Sequence, residues 1–124
     1  MKKTINCSYR EKDTLEMKMM PNGNVALMAK ANDTYRTTFV NPTVLLGVLK
    51  SNLEKGTASG DIKCLVDKHN YYMKIRRQSD SKSIRVEIYG AGDYAIIILN
   101  EAKAEEAMQF LRNVRGYFEE MAVK

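Results

Sequence analysis

The sequence has little cysteine or histidine and no long apolar run. Its 124 residues include two cysteines, Cys7 and Cys64, with no CxxC spacing, and one histidine, His69. These counts exclude a disulfide scaffold and a zinc site of cysteine and histidine ligands, so we expect neither a metal nor a cofactor. The longest apolar run, residues 95–99, is far shorter than the roughly 20 residues that span a bilayer.

The amino terminus also lacks the pattern of a secretory signal. Lys2 and Lys3 are not followed by an apolar stretch, which a signal peptide requires. We therefore expect a cytoplasmic protein that does not interact with a membrane.

The chain does contain enough apolar material for one packed domain. Hydrophobic residues make up 44% and charged residues 28% of the sequence, which excludes wholesale disorder. The net charge of +5 gives mild support for an anionic partner. Residues 68–85 hold six lysines and arginines against one acid, Asp80. The charge is therefore polarised within the second half of the chain, whose middle is basic and whose tail, with five glutamates between residues 101 and 120, is acidic.

Alternation of apolar and polar residues predicts four strands before residue 41. Ile5, Cys7 and Tyr9 alternate with polar residues, and this period of two is typical of a sheet with one buried face. The predicted strands span 4–10, 15–20, 25–31 and 34–40. A helix follows, because Asn41 and Pro42 form a typical N-cap and first helical position, and Gly56 ends it.

The same order of elements is predicted a second time. Strands are expected at 61–67, 71–78, 83–89 and 94–99, and Asn100 caps a long helix whose apolar stripe runs from Ala104 to Met121. We therefore predict an α+β fold in which one domain, residues 1–124, contains two repeats, at about 4–56 and 61–122. Each repeat consists of four antiparallel strands followed by a helix.

Three sequence matches indicate that the repeats arose by duplication. Ile5-x-Cys7 matches Ile62-x-Cys64, and Met17-Lys18-Met19 matches Met73-Lys74-Ile75. Residues 35–41 match residues 94–100, so the three offsets are 57, 56 and 59.

The residues give little support for catalysis. A nucleophile needs a base beside it, and His69 falls in a polar turn, where we expect a solvated loop residue. Cys7 and Cys64 fall on the apolar face of their strands, where we expect small buried hydrophobes. We predict no catalytic residue and no enzyme activity.

One predicted sheet face combines cations with tyrosines. Tyr72, Lys74 and Arg76 alternate with apolar residues on one strand, and Arg85, Glu87 and Tyr89 do so on the next. Cations neutralise phosphates, and tyrosine rings offer faces on which unpaired bases stack. The candidate nucleic-acid-binding residues are Tyr72, Lys74, Arg76, Arg85 and Tyr89, with Lys18 and Arg36 in support from the first repeat.

This order of elements resembles the superfamily that contains the Whirly proteins, the Pur-alpha repeats and the transcriptional positive cofactor 4 domain. The resemblance covers Thr4 to Met121 and lies in the order and length of the elements and in the repeat matches. It implies binding of single-stranded DNA or RNA on curved antiparallel sheets. We therefore predict a sequence-tolerant single-stranded nucleic-acid-binding protein, with DNA favoured over RNA.

The main alternative is a non-enzymatic, homo-oligomeric interaction domain. Phe110 and Tyr117 lie beside the apolar stripe of the last helix, and unpaired strand edges invite pairing with another chain. For these reasons we also expect a homo-oligomer. A ligand or catalytic cleft between the sheets is a third alternative, although no polar residues converge to support it.

Overall fold

The computed structural model describes residues 1–56, 59–66, 70–78, 82–90 and 92–123, with side chains as far as residue 120. His69 lies outside the described residues, as do Asp67 at the end of a predicted strand and most of the predicted turn at 79–82. The side chain of Met121 is likewise outside them.

Two four-stranded antiparallel sheets, each followed by a helix, make up the fold. The first unit contains β1 (Lys2–Asn6), β2 (Thr14–Met19), β3 (Val25–Ala31), β4 (Thr34–Val40) and α1 (Pro42–Lys55). The second contains β5 (Ile62–Lys63), β6 (Tyr72–Arg77), β7 (Ile84–Gly90), β8 (Asp93–Leu99) and α2 (Glu101–Val123). Strands that follow one another in sequence are neighbours in each sheet. The predicted α+β fold and its order of elements are confirmed.

Local sequence features set the ends of these elements. Asn32 and Asp33 both have positive φ, 51° and 65°, and form the two-residue turn whose twist suits an antiparallel hairpin. The side-chain oxygen of Asn41 accepts the N–H two residues on at 2.8 Å. That of Asn100 accepts the N–H three residues on at 2.9 Å. Both predicted helix N-caps are therefore confirmed.

The two units share one apolar core. The inward residues of both sheets and the stripe of α2 from Ala104 to Val114 belong to a single buried cluster. The helices pack on each other, α1 also contacts β6, and α2 contacts β1 and β8. Because each helix reaches the sheet of the opposite unit, neither unit encloses a core of its own. No helix in the described part of the chain is long and apolar enough to cross a membrane.

Two equivalent seams join the sheets. After β1, Ser8 donates its backbone N–H to the Ile98 carbonyl of β8 at 2.7 Å, and the Ile98 N–H lies 3.3 Å from Cys7 Sγ. After β5, Leu65 donates its N–H to the Phe39 carbonyl of β4 at 2.9 Å.

The second seam also uses a thiol, because the Phe39 N–H lies 3.4 Å from Cys64 Sγ. Each seam thus satisfies the backbone of a sheet's last strand with the segment after the first strand of the other sheet.

The seams explain why β1 and β5 are shorter than predicted. β1 ends at Asn6 rather than at residue 10, and β5 contains only Ile62 and Lys63. The backbone N–H groups of Cys7 and Cys64 still bond within their own units, and the chain then leaves its own sheet, so that the next residues, Ser8 and Leu65, bond the other sheet. Both thiols are buried, as predicted. Tyr9, which the alternation predicted to be buried, is 72% exposed because the strand has already ended.

The structure also corrects one repeat match. The burial patterns of β2 and β6 agree residue by residue when Thr14 is matched with Tyr72, an offset of 58. The match of Met17 with Met73 in the sequence implied an offset of 56 residues. Side chains alternate with a period of two, so a two-residue slip leaves every residue on its face and cannot be detected from the pattern. The structural counterpart of Lys18 is therefore Arg76.

The apolar flank of α2 is narrower than its sequence indicates. Phe110 is buried and belongs to the core, whereas Tyr117 is exposed. The seams also occupy backbone groups at the ends of β4 and β8. Homo-oligomerisation stays a prediction, and these observations remove part of its original basis.

Gly90, the last residue of β7, lies directly against the ring of Tyr71, and a substitution at this glycine tests that contact. A methyl group at Gly90 would overlap the Tyr71 ring, so Gly90→Ala forces the ring or the strand to move. We expect the free energy of unfolding to fall by about 1–3 kcal/mol, measured by urea denaturation.

The matched control is Gly47→Ala in α1, where a methyl group meets nothing within 4 Å. We expect this variant to gain about 0.5–1 kcal/mol, because alanine is the better helix former. Similar changes in both variants would contradict the proposed contact.

Candidate nucleic-acid interface

The outer face of the second sheet carries most of the candidate residues. Met73, Ile75, Ile84, Val86 and Ile88 of β6 and β7 point inward and are buried. Because side chains alternate along a strand, the residues between them share the outer face. They are Tyr72, Lys74, Arg76, Arg85, Glu87 and Tyr89. The structure therefore brings the five candidates of the second repeat onto one surface.

Three tyrosines form a row across this face, which we call the tyrosine ladder. Tyr72 of β6 is paired with Tyr89 of β7, and Tyr89 with Tyr94 of β8. The Tyr72 and Tyr89 rings are stacked, with centroids 4.8 Å apart and planes within 8°. The Tyr89 and Tyr94 centroids are 5.6 Å apart with a tilt of 35°. Cross-strand aromatic contacts of this kind stabilise a sheet and fix the positions of the rings.

A buried carboxylate lies beneath the arginines of the same face. Glu87 is only 1% exposed. Arg76 Nη2 lies 3.2 Å from Glu87 Oε1, and Arg85 Nε lies 2.5 Å from Glu87 Oε2. The Tyr89 hydroxyl donates a hydrogen bond to Oε1 at 2.7 Å. Glu87 therefore connects the arginines to the tyrosine ladder, a role that the alternation pattern alone did not indicate.

The arginines cover this carboxylate and face solvent. Their side chains are 51% exposed for Arg76 and 39% exposed for Arg85. An approaching ligand meets the two guanidinium groups and not the acid. Since each guanidinium carries five N–H donors, an ion pair with one carboxylate leaves donors available for a phosphate.

Two lysines extend the positive charge along the ladder. Lys74 Nζ lies 5.9 Å from the Tyr72 centroid and 6.0 Å from the Tyr89 centroid, within the range of cation–π attraction. It also lies 3.5 Å from Asp61 Oδ1. Lys63 of β5 is paired with Tyr72 and is exposed, so it lies at the end of the ladder. Lys63 was missed in the sequence because β5 was predicted to be longer and its register was unknown.

An open pocket lies alongside the ladder and contacts all three of its tyrosines. It has a volume of about 470 Å³ and is lined by Asn70, Tyr72, Tyr89, Gly90, Gly92, Asp93 and Tyr94. Tyr94 is 52% exposed. The sequence did not indicate Tyr94 as a site residue, because the outer positions that follow it, Ile96 and Ile98, are apolar and hide the alternation of β8.

The two candidates from the first repeat do not join this surface. Lys18 is exposed on the outer face of the first sheet, paired with Ala26. Arg36 is paired with Ala29, which is buried, so Arg36 belongs to the inner row of β4. The interpretation that Arg36 shares an outer face with Lys18 was wrong. The threonine-rich sequence of β4 gives no clear alternation from which to assign its faces.

Arg36 instead links the two sheets. Its Nη2 lies 3.5 Å from Asp93 Oδ2 at the start of β8, beside the pocket. Arg36 thus reaches the edge of the candidate site from the inner side of the first sheet.

Comparison of the sequence with protein-family models and with curated proteins finds no match. Across the described residues, no three histidine, cysteine or acidic side chains are grouped so that they could hold a metal ion. What this surface offers chemically is aromatic stacking together with exposed guanidinium and ammonium groups.

The Tyr89–Glu87 contact has a measurable consequence. The pKa of Tyr89 is raised above the ordinary 10.0, because its hydroxyl donates to Glu87 and because burial and the same carboxylate disfavour the phenolate. A raised pKa in the folded state stabilises the protein fully below pH about 10, and this contribution is lost as pH rises through the folded pKa.

We therefore expect a titration of tyrosinate absorbance to show a group that ionises above the ordinary tyrosine pKa of 10.0, and we assign this group to Tyr89. Tyr89→Phe should remove the late-ionising group and make the loss of stability above pH about 10 less steep. If Tyr89→Phe instead removes one of the tyrosines that ionise at lower pH, the hydrogen bond between Tyr89 and Glu87 does not form in solution.

Proposed function

We propose that this protein binds single-stranded nucleic acid on the outer face of the second sheet, with little dependence on base sequence and with DNA favoured over RNA. The observation that carries the proposal is the tyrosine ladder, which ends in the exposed Tyr94 and lies beside the exposed guanidinium groups of Arg76 and Arg85. Surfaces that bind single strands combine these two features, aromatic platforms for bases and cations along the phosphate backbone.

The ladder assigns different roles to its rings. Tyr89 has Tyr72 on one side and Tyr94 on the other, and its hydroxyl is held by Glu87. It therefore positions the other two rings. Bases stack on Tyr94 and on the side of Tyr72 that faces away from Tyr89, which leaves Tyr89 as a positioning residue.

The phosphate contacts come from cations on the same face. Arg76 and Arg85 supply guanidinium donors, and Lys63 and Lys74 lie at the ladder. Three acids partly offset these four cations, Glu87 beneath the arginines, Asp61 beside Lys74, and Asp93, which is itself paired with Arg36. The face keeps a net positive charge, and the buried Glu87 holds both guanidinium groups in place, which lowers the entropy lost on binding.

The proposal implies tolerance of sequence and a preference for single strands. Stacking and phosphate contacts carry little information about base edges. Bases in a duplex are already stacked on one another and are not free to contact the ladder. The resemblance to the Whirly and Pur-alpha superfamily agrees with this proposal at the level of architecture.

Charge reversal tests the phosphate contacts. We expect Lys74→Glu with Arg76→Glu to weaken binding of a fluorescent single strand of about 30 bases strongly, and to flatten the dependence of affinity on salt. Each lost phosphate contact on a single strand should change the log–log salt slope by about 0.7. The measurement is fluorescence anisotropy at several salt concentrations, with a duplex of the same length as control.

The matched control is Lys12→Glu with Lys55→Glu, which changes the net charge equally at two exposed lysines of the first unit. An equal loss in both double variants would place the binding outside the second sheet. Absence of binding by the wild-type chain at low salt would refute the proposed function.

Removal of an aromatic platform tests the stacking. Base–aromatic stacking is worth about 1–3 kcal/mol per base, so Tyr94→Ala should weaken binding by roughly tenfold or more. Tyr9→Ala, which removes a still more exposed tyrosine away from the ladder, should leave the affinity within about twofold of wild type. Equal effects at both positions would contradict the role of the ladder.

A further inference from the structure

The pocket alongside the ladder has the volume and lining of a small-ligand site. Its volume of about 470 Å³ falls within the range of about 300–1,000 Å³ that is typical of pockets for small molecules. Tyrosine rings form its apolar walls, Gly90 and Gly92 contribute only backbone, and Asn70 and Asp93 supply the polar side chains.

We infer that this pocket holds one base of the bound strand, stacked on a tyrosine ring, and prefers bases that carry an exocyclic amino group, such as cytosine and adenine, over thymine and uracil. This inference rests on the proposed function and adds a local base preference to it. The remainder of the strand is bound without regard to sequence.

The carboxylate of Asp93 is the basis of this preference. Its Oδ1 accepts the Tyr94 backbone N–H at 2.7 Å, and its Oδ2 lies 3.5 Å from Arg36 Nη2. These two contacts hold the group at the rim of the pocket. The side chain is still 55% exposed, and a carboxylate has about four acceptor positions, so positions remain for a ligand.

A carboxylate can only accept hydrogen bonds, and this property separates the bases. Cytosine and adenine present an amino group as a donor, whereas thymine and uracil present carbonyl oxygens at the corresponding position. A carbonyl facing Asp93 would place two acceptors against each other. Tyr94 and Tyr72 stack with any base, so the discrimination comes from Asp93.

Homopolymers of equal length test the preference. We expect wild-type protein to bind an oligodeoxycytidine about tenfold more tightly than an oligothymidine of the same length. Asp93→Asn should bring the two affinities close together, mainly through weaker binding of the cytidine strand, because an amide both donates and accepts. The control Glu119→Gln removes the same charge from an exposed position on α2 and should keep the wild-type ratio.

A second measurement uses wild-type protein alone. Cytidine monophosphate, added to labelled protein, should shift the backbone NMR signals of Gly92 and Tyr94 more than thymidine monophosphate does at the same concentration. Equal shifts by both nucleotides, or shifts elsewhere only, would overturn the inference.

The outcomes separate the inference from the proposed function. Tight and equal binding of both homopolymers refutes the base preference and leaves the proposed function intact. Failure to bind either homopolymer, together with selective shifts by cytidine monophosphate, refutes single-strand binding and supports the pocket as a nucleotide site. Failure of both measurements refutes both.

Discussion

The exchange of hydrogen bonds at the two seams is the constraint on which the rest of this fold depends. Each sheet would otherwise leave its last strand with free backbone groups, and each is completed by the segment that follows the first strand of the other sheet. The cost of an unpaired buried N–H is large, so neither sheet is satisfied without its partner. The shared core and the contact of each helix with the opposite sheet agree with this arrangement, and we expect the two units to unfold together.

The two sheets can differ on their outer faces, although both take part in the seams. The inner faces must fit one common core, but the outer faces are free of that requirement. In the second sheet, the buried Glu87 is paired with Lys74. The residue that occupies the position of Glu87 in the first sheet is Met28. A carboxylate at this position organises two arginines and a tyrosine, and a methionine cannot. The two units thus share a backbone plan, but the outer face of the second carries a network of a carboxylate, two arginines and a tyrosine.

Local signals predicted most of the fold, and contacts between distant residues account for what was missed. Asn41 and Asn100 mark helix starts through their own backbone neighbours, so they are readable from sequence. Cys7 ends β1 because of a partner in β8, which no local pattern reveals. The outer face of the second sheet was predictable from alternation, but the burial of Glu87 depends on how two arginines fold over it. Arg36 was assigned to the wrong face for lack of any alternation in β4.

The two seams are equivalent in the finished structure but not in the order in which they can form. The Phe39–Cys64 seam closes over 25 residues, whereas the Ile98–Cys7 seam closes over 91. Loop-closure entropy grows with the logarithm of loop length, so the longer closure costs about 1 kcal/mol more. During synthesis the amino-terminal strand must also wait for almost the whole chain to emerge. Chain connectivity therefore gives a symmetric architecture an asymmetric folding route, in which the seam at β4 forms early and the seam at β8 completes the structure.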